Sequence, residues 1–158
     1  MTETQETPAA MLLLAPSSKA ADILEKKFEL RKDGAARAVL AQGARANEAL
    51  RAALAGGVSA VVLISPPAVE ALDEDIKSRL RDIAAPILAL FGTEDSSSPV
   101  EFGHAWRRAL PKCFQTFVFD AGADMANERP AAVASLVAEF LTLGEGFLVN
   151  HGDGRALP

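Results

Sequence analysis

Side chains able to serve as nucleophile, base or metal ligand are thinly spread through this chain. It holds two histidines, His104 and His151, and one cysteine, Cys113. Asp95 stands in Thr93-Glu94-Asp95-Ser96-Ser97-Ser98, Asp120 and Asp124 flank Ala121-Gly122-Ala123, and Ser17-Ser18 follow Ala15-Pro16. Hydrolysis through an activated hydroxyl needs a serine, an imidazole hydrogen-bonded to it and a carboxylate that orients the imidazole. Serines and carboxylates are present, but neither histidine accompanies them. His104 falls at the start of a helical segment, and His151 lies in the glycine-rich run GEGFLVNHGDGRALP. No Cys or carboxylate joins the two histidines at ligand spacing, so no metal site is expected. No strand-like run is followed by G-x-G-x-x-G, which argues against a nucleotide; no cofactor is expected.

Asp95 has two readings. It is either a catalytic-type or ligand-binding carboxylate, or a turn former whose side chain binds nearby backbone amides. Asp124 and Asp120 could supply a carboxylate base, but only if desolvated. Cys113, just before an aromatic run, reads as a small buried hydrophobe.

These groups must be positioned by the elements between them, and apolar runs alternate with helical segments throughout. MLLLA (11–15), FELRK (28–32), RAVLAQ (37–42), SAVVLIS (59–65), ILALF (87–91) and FQTFVF (114–119) read as strands. Ser18 can cap a helix carrying Ile23, Leu24 and Lys27, and ANEALRAALA (46–55) is strongly helical up to Gly56-Gly57. Leu72, Ile76, Leu80 and Ile83 recur at helical spacing and predict one helix over 69–83. Phe102, Trp106 and Leu110 mark another, and Pro130 opens a last one with Val133, Leu136, Val137, Phe140 and Leu141 on one stripe. Six strands alternating with helices predict an α/β fold, a three-layer αβα sandwich around a mostly parallel sheet. The expected organisation is a disordered tail over 1–10, one domain over 11–143 and a tail or arm over 144–158.

Composition agrees with one globular domain: 158 residues, 49% hydrophobic and 23% charged. The net charge of −5 and scattered basic residues speak against nucleic acid or an anionic membrane. A single cysteine excludes an intrachain disulfide. The N-terminus MTETQETPAA is acidic and is followed by a short apolar run, unlike a secretory signal, so a cytoplasmic location is expected.

The stretch from Pro86 to Leu141 resembles the closing part of an α/β-hydrolase: strand and acid loop PILALFGTED, a helix, then FQTFVFDAGADMANERP and an amphipathic helix. Its best signature is G-x-x-D-x-x-x-P at Gly92, Asp95 and Pro99, followed by AG-x…P from Ala121 to Pro130. The earlier runs are similar to that fold's early strand, strand–elbow–helix unit and following strand, though MLLLAPSSKAADILEKKFEL also resembles the opening unit of 2-hydroxyacid dehydrogenases. The resemblance implies a shortened core without the first two antiparallel strands, one connecting helix and the cap, whose region the 69–83 helix replaces.

It also assigns functional positions. The nucleophile turn falls on Ala41-Gln42-Gly43-Ala44-Arg45, with Gly43 in the nucleophile slot; from Gly34 to Val58 there is no serine, threonine, cysteine or aspartate. The oxyanion-hole pair is Ala15-Pro16, and proline has no N–H to donate. The base slot is Ala123, and Asp95 alone matches the triad acid. The expectation is therefore a non-catalytic, hydrolase-like binding or protein-interaction module. Its ligand-facing positions would be Ser17, Gln42, Gly43, Ala44, Asp95, Asp124 and Met125, with Pro16 and Pro66 beside them. The alternative is a weak esterase or thioesterase built on Ser17 or Ser18, Asp124 and a folded-back His151. FELRK and FQTFVF are expected at opposite sheet edges, and the unguarded aromatic edge at 114–119, with the last helix, predicts a homodimer.

Overall fold

Each apolar run buries itself by pairing with another, and all neighbouring pairs are parallel. A computed structural model describes residues 10–144 and 146–147 of the chain. Its strands are β1 (Ala10–Leu14), β2 (Glu29–Arg31), β3 (Ala38–Gln42), β4 (Ala60–Ile64), β5 (Ile87–Gly92) and β6 (Cys113–Val118). They form one sheet in the order β2-β1-β3-β4-β5-β6. β4 and β5 are buried along their whole length, as expected for central parallel strands covered on both faces.

Two layers of helix provide that cover. On one face α1 (Lys19–Leu24), α5 (Met125–Glu128) and α6 (Pro130–Leu143) enclose a core containing Met11, Leu40, Val62, Leu88, Phe114, Val137 and Phe140. On the other, α2 (Ala46–Ala55), the 69–83 segment and α4 (Phe102–Ala109) enclose Val39, Leu50, Val61, Leu63, Ile76, Phe91 and Trp106. Local signals explain the helix starts. Ser18 Oγ accepts from the Ala21 amide at 3.0 Å and caps α1, and Pro130 occupies the first turn of α6. The expected stripe of α6 is buried at all five positions. Phe147 returns to this core edge-to-face with Phe114 and Phe140, at centroid distances of 5.0 and 5.5 Å.

Two expectations need correction. Residues 69–83 are not one helix but two 3-10 turns, Val69–Ala71 and Leu80–Asp82, around the four-residue α3 (Glu74–Lys77). The apolar spacing is real, since Leu72, Ile76, Leu80 and Ile83 are all buried. The path breaks at Leu72 and Asp73, both extended. There α2 holds the chain from outside: Asn47 Oδ1 accepts from the Asp73 amide at 2.9 Å, and Arg51 binds Asp73 and Asp75 at 2.6 and 3.1 Å. The second correction is at the N-terminus, where Ala10 already pairs with Glu29 rather than belonging to a tail. Residues 1–9 and most of 144–158, including His151, lie outside the described residues.

Candidate functional site

Parallel strands deliver their carboxyl ends to one edge of the sheet, and the loops there form the candidate site. At the end of β3 the chain turns sharply. Gln42 is extended, Gly43 has φ +61°, and a 3-10 turn over Gly43–Arg45 leads into α2. This strand–turn–helix path has the shape that the hydrolase resemblance expects of a nucleophile turn, and glycine is the residue that takes the left-handed backbone without strain. A Cβ built on Gly43 would meet nothing within 4 Å, so the space a side chain would fill is open.

The loop after β6 faces this elbow. Gln42 Nε2 donates to the Ala123 carbonyl oxygen at 3.5 Å, so the turn expected to hold a nucleophile lies beside the loop expected to hold a base. Neither carries a reactive group. A chain of hydrogen bonds holds the loop: the Gly122 amide donates to Glu128 Oε1, Asn127 Nδ2 to Asp124 Oδ1, and the Lys19 amide to Asn127 Oδ1, each at 2.9 Å. Asp124 is exposed and engaged by Asn127, not enclosed as a carboxylate base would need to be. The short helix α5, which the sequence reading did not anticipate, carries Asn127 and Met125. Met125, expected to line the crevice, is instead fully buried in the core.

Asp95 follows β5 and is only 7% exposed. Its Oδ1 accepts from the Ser97 amide at 2.9 Å, the Ser97 hydroxyl at 2.6 Å and the Ser98 amide at 3.2 Å. Burial pushes this carboxyl upward, but the hydrogen bonds from Ser97, Ser65 and the Ser98 amide together hold it below the usual carboxylate value. The Ser65 contribution is a near approach: among the described residues, Ser65 Oγ and Asp95 Oδ2 are buried without a partner of good hydrogen-bond geometry. Ser97 and Ser98 are tied down by these bonds and by others. The Ser98 hydroxyl donates to the Pro66 carbonyl at 2.6 Å, and Trp106 Nε1 to that of Pro67 at 2.9 Å.

Ser65 is the residue that sequence reasoning missed. It ends β4 with φ +49°, an uncommon conformation for a serine. The available signal was a lone polar residue closing the run AVVLIS before two prolines.

The acid and base loops are also joined to each other. The Glu94 amide donates to the Ala121 carbonyl at 2.9 Å and the Asp120 amide to Thr93 Oγ1 at 3.1 Å. A Cβ on Gly92 would collide with the Ala121 and Gly122 carbonyl oxygens, so only glycine permits this approach.

On the β1 side, Pro16 and Ser17 are exposed, and Ser18 is occupied as a cap. Beneath them, a cavity touching Ala15, Pro16, Gln42, Ile64 and Ala126 amounts to only about 10 Å³. That is at the lower limit for one water. Cys113 lies away from this edge at the start of β6. Desolvation pushes its thiol up to about 12 against the opposing pull of Arg107, so it is not a poised thiolate. Although the residue keeps some surface, its thiol is enclosed. His104 is exposed on α4. Among the described residues no group of three or more His, Cys, Asp or Glu could hold a metal ion. Nor is any helix there long and apolar enough to cross a membrane.

No protein-family model and no curated protein matches the sequence. Solved structures do match the fold. A predicted CIB-like hydrolase from Thermoplasma acidophilum superposes with a TM-score of 0.68 and 12% identity over 89% of both chains. An α/β-hydrolase enzyme from the sediment metagenome of the Mar Chica lagoon gives 0.67 and 14%, over 84% of this chain and 90% of that one. The esterase domain of a Rhodothermus marinus protein gives 0.65 and 15%, over 91% and 90%. The sheet order, the elbow at Gly43 and these superpositions lead to one conclusion: the chain has the α/β-hydrolase fold.

Proposed function

We propose that this protein is a non-catalytic α/β-hydrolase-like module that binds a partner or ligand at the carboxyl edge of its sheet. The observation that carries this reading is the turn at Gly43 beside the Ala123 loop, which the Gln42 side chain reaches at 3.5 Å. The elbow has the backbone of a nucleophile position, and the loop opposite has the place of a base, but neither residue has a group that can attack or take a proton. Loss of nucleophile and base together removes the proton relay, worth several orders of magnitude in rate. Ser18 and Asp124, two members of the alternative hydrolytic set, are occupied by the Ala21 amide and Asn127. The test is an activated-ester assay on the wild-type protein beside Ser17→Ala and Ser18→Ala variants. The expected result is background turnover in all three; turnover abolished by either substitution would establish the hydrolase instead.

The partner surface we favour is a second copy of the chain through the β6 side. β6 is an edge strand, and Phe119, which follows it, is 41% exposed beside Asp120 in a left-handed turn. Unpaired strand edges flanked by exposed aromatic residues are natural association surfaces. A dimer in sedimentation equilibrium that dissociates in Phe119→Lys is expected; a monomer at high concentration would refute it.

A further inference from the structure

The opposite end of the sheet holds a groove that the carboxyl-edge reading does not use. Every other crossover carries helical structure over the sheet: α1 between β1 and β2, α2 between β3 and β4, the 69–83 turns between β4 and β5, and α4 between β5 and β6. The β2-to-β3 crossover has only residues 32–37, with no helix. Among the described residues, the strand face it would have covered is left open near the amino ends of β1 and β3. The resulting groove has a volume of about 550 Å³, with Leu12, Val39, Ala52 and Val58 among its apolar walls. The glycine-bearing loops at Gly34 and Gly56-Gly57 bound it.

Two guanidinium groups belong to the same lining. Arg31 is committed, donating to the Ala35 carbonyl at 2.8 Å and pairing with Glu29 at 3.1 Å. Arg37 is exposed, and its side chain makes no hydrogen bond or ion pair among the described residues. In a chain of net charge −5, an uncommitted guanidinium at the lip of an apolar groove is a local reversal of sign. A volume in this range is typical of small-molecule sites, and loops on two sides favour a compact occupant over a helix running through.

We propose that this groove binds an amphipathic carboxylate. The apolar body rests against Leu12, Ala52 and Val58, above the buried Val39, and the carboxylate pairs with Arg37, whose planar fork suits two parallel hydrogen bonds. No bond is made or broken; the site is a receptor for an apolar anion.

The test titrates octanoate into isotope-labelled wild-type protein, followed by amide chemical shifts, beside octylammonium and an Arg37→Ala variant. Saturable shifts at Leu12, Val39 and Val58 are expected, with octylammonium bound about tenfold more weakly or worse. Arg37→Ala should weaken octanoate by about tenfold, the loss of one charge-assisted pair. The exposed position of Arg37 leaves the fold intact, and the octanoate–octylammonium comparison needs no variant at all. Equal binding of both probes, shifts confined to other surfaces, or non-saturable shifts would each overturn the proposal. So would a self-association that buries Leu12 without any ligand. None of these outcomes bears on the Gly43 turn or the Ala123 loop, so the two proposals fail separately.

Discussion

The carboxyl edge of the sheet contains two unlike halves. Around β4 and β5, polar side chains are dense and engaged: Asp95 receives three hydrogen bonds at one oxygen, and Ser98 and Trp106 clamp the two prolines after β4. Between β3 and β6, by contrast, the turn and the loop facing it carry Gly43 and Ala123, whose side chains are a hydrogen and a methyl group. The difference lies in what each half does for the fold: one is held by side-chain hydrogen bonds and the other by backbone shape. Asp95 organises its loop through bonds to Ser97 and Ser98, a task that needs no imidazole, whereas open space surrounds the side-chain position of Gly43.

Removing the Asp95 carboxylate should therefore have the largest effect, and on stability. Asp95→Ala leaves the buried Ser98 amide without its acceptor and removes the part-buried bonds from the exposed Ser97, at a cost of about 1–3 kcal/mol in urea unfolding. A loss below 0.5 kcal/mol, on the order of an ordinary surface change, would make the loop's order independent of Asp95. Next in size is Gly92→Ala, which forces the acid and base loops apart and should destabilise by about 1–3 kcal/mol. Gly43→Ala sharpens the contrast, because open space surrounds its Cβ and only the left-handed backbone is strained. The cost there should be about 1–2 kcal/mol, with no structural shift in the neighbouring loops.

The pH dependence follows from the lowered value of Asp95. A carboxyl held below its unfolded value stabilises the fold above the unfolded value and loses that contribution as pH falls through the folded one. Urea midpoints of wild type should thus fall on acidification below the usual carboxylate range, and Asp95→Asn should flatten part of that slope. An equal slope in both proteins would remove Asp95 as its source. The smallest effect belongs to Arg51→Ala on the far face. Its pairs with Asp73 and Asp75 are exposed, so any loss should be visible at low salt and disappear at high salt.

Strands and layers were readable from the chain because they depend on local runs: AVVLI and ILALF could be buried only as central parallel strands, and Ser18 and Pro130 mark helix starts by their own chemistry. The 69–83 path was not readable. Its apolar period is helical, yet the break at Asp73 is set by Asn47 and Arg51, more than twenty residues away. The empty nucleophile turn was visible as an absence of hydroxyl and thiol between Gly34 and Val58, and the structure adds its left-handed backbone. Ser65 stayed hidden because its proximity to Asp95 arises only when β4 and β5 pair. Met125 was misplaced since a crevice position and a core position can share one sequence neighbourhood when α5 turns between them.

Intact-mass spectrometry after incubation with a fluorophosphonate tests the central claim most directly. Wild type is set beside a variant carrying both Gly43→Ser and Ala123→His. Wild type is expected to stay at its original mass, while the double variant gains one phosphonyl group at position 43 with loss of fluoride. A single stoichiometric adduct on wild type, at any hydroxyl of the carboxyl edge, would contradict it.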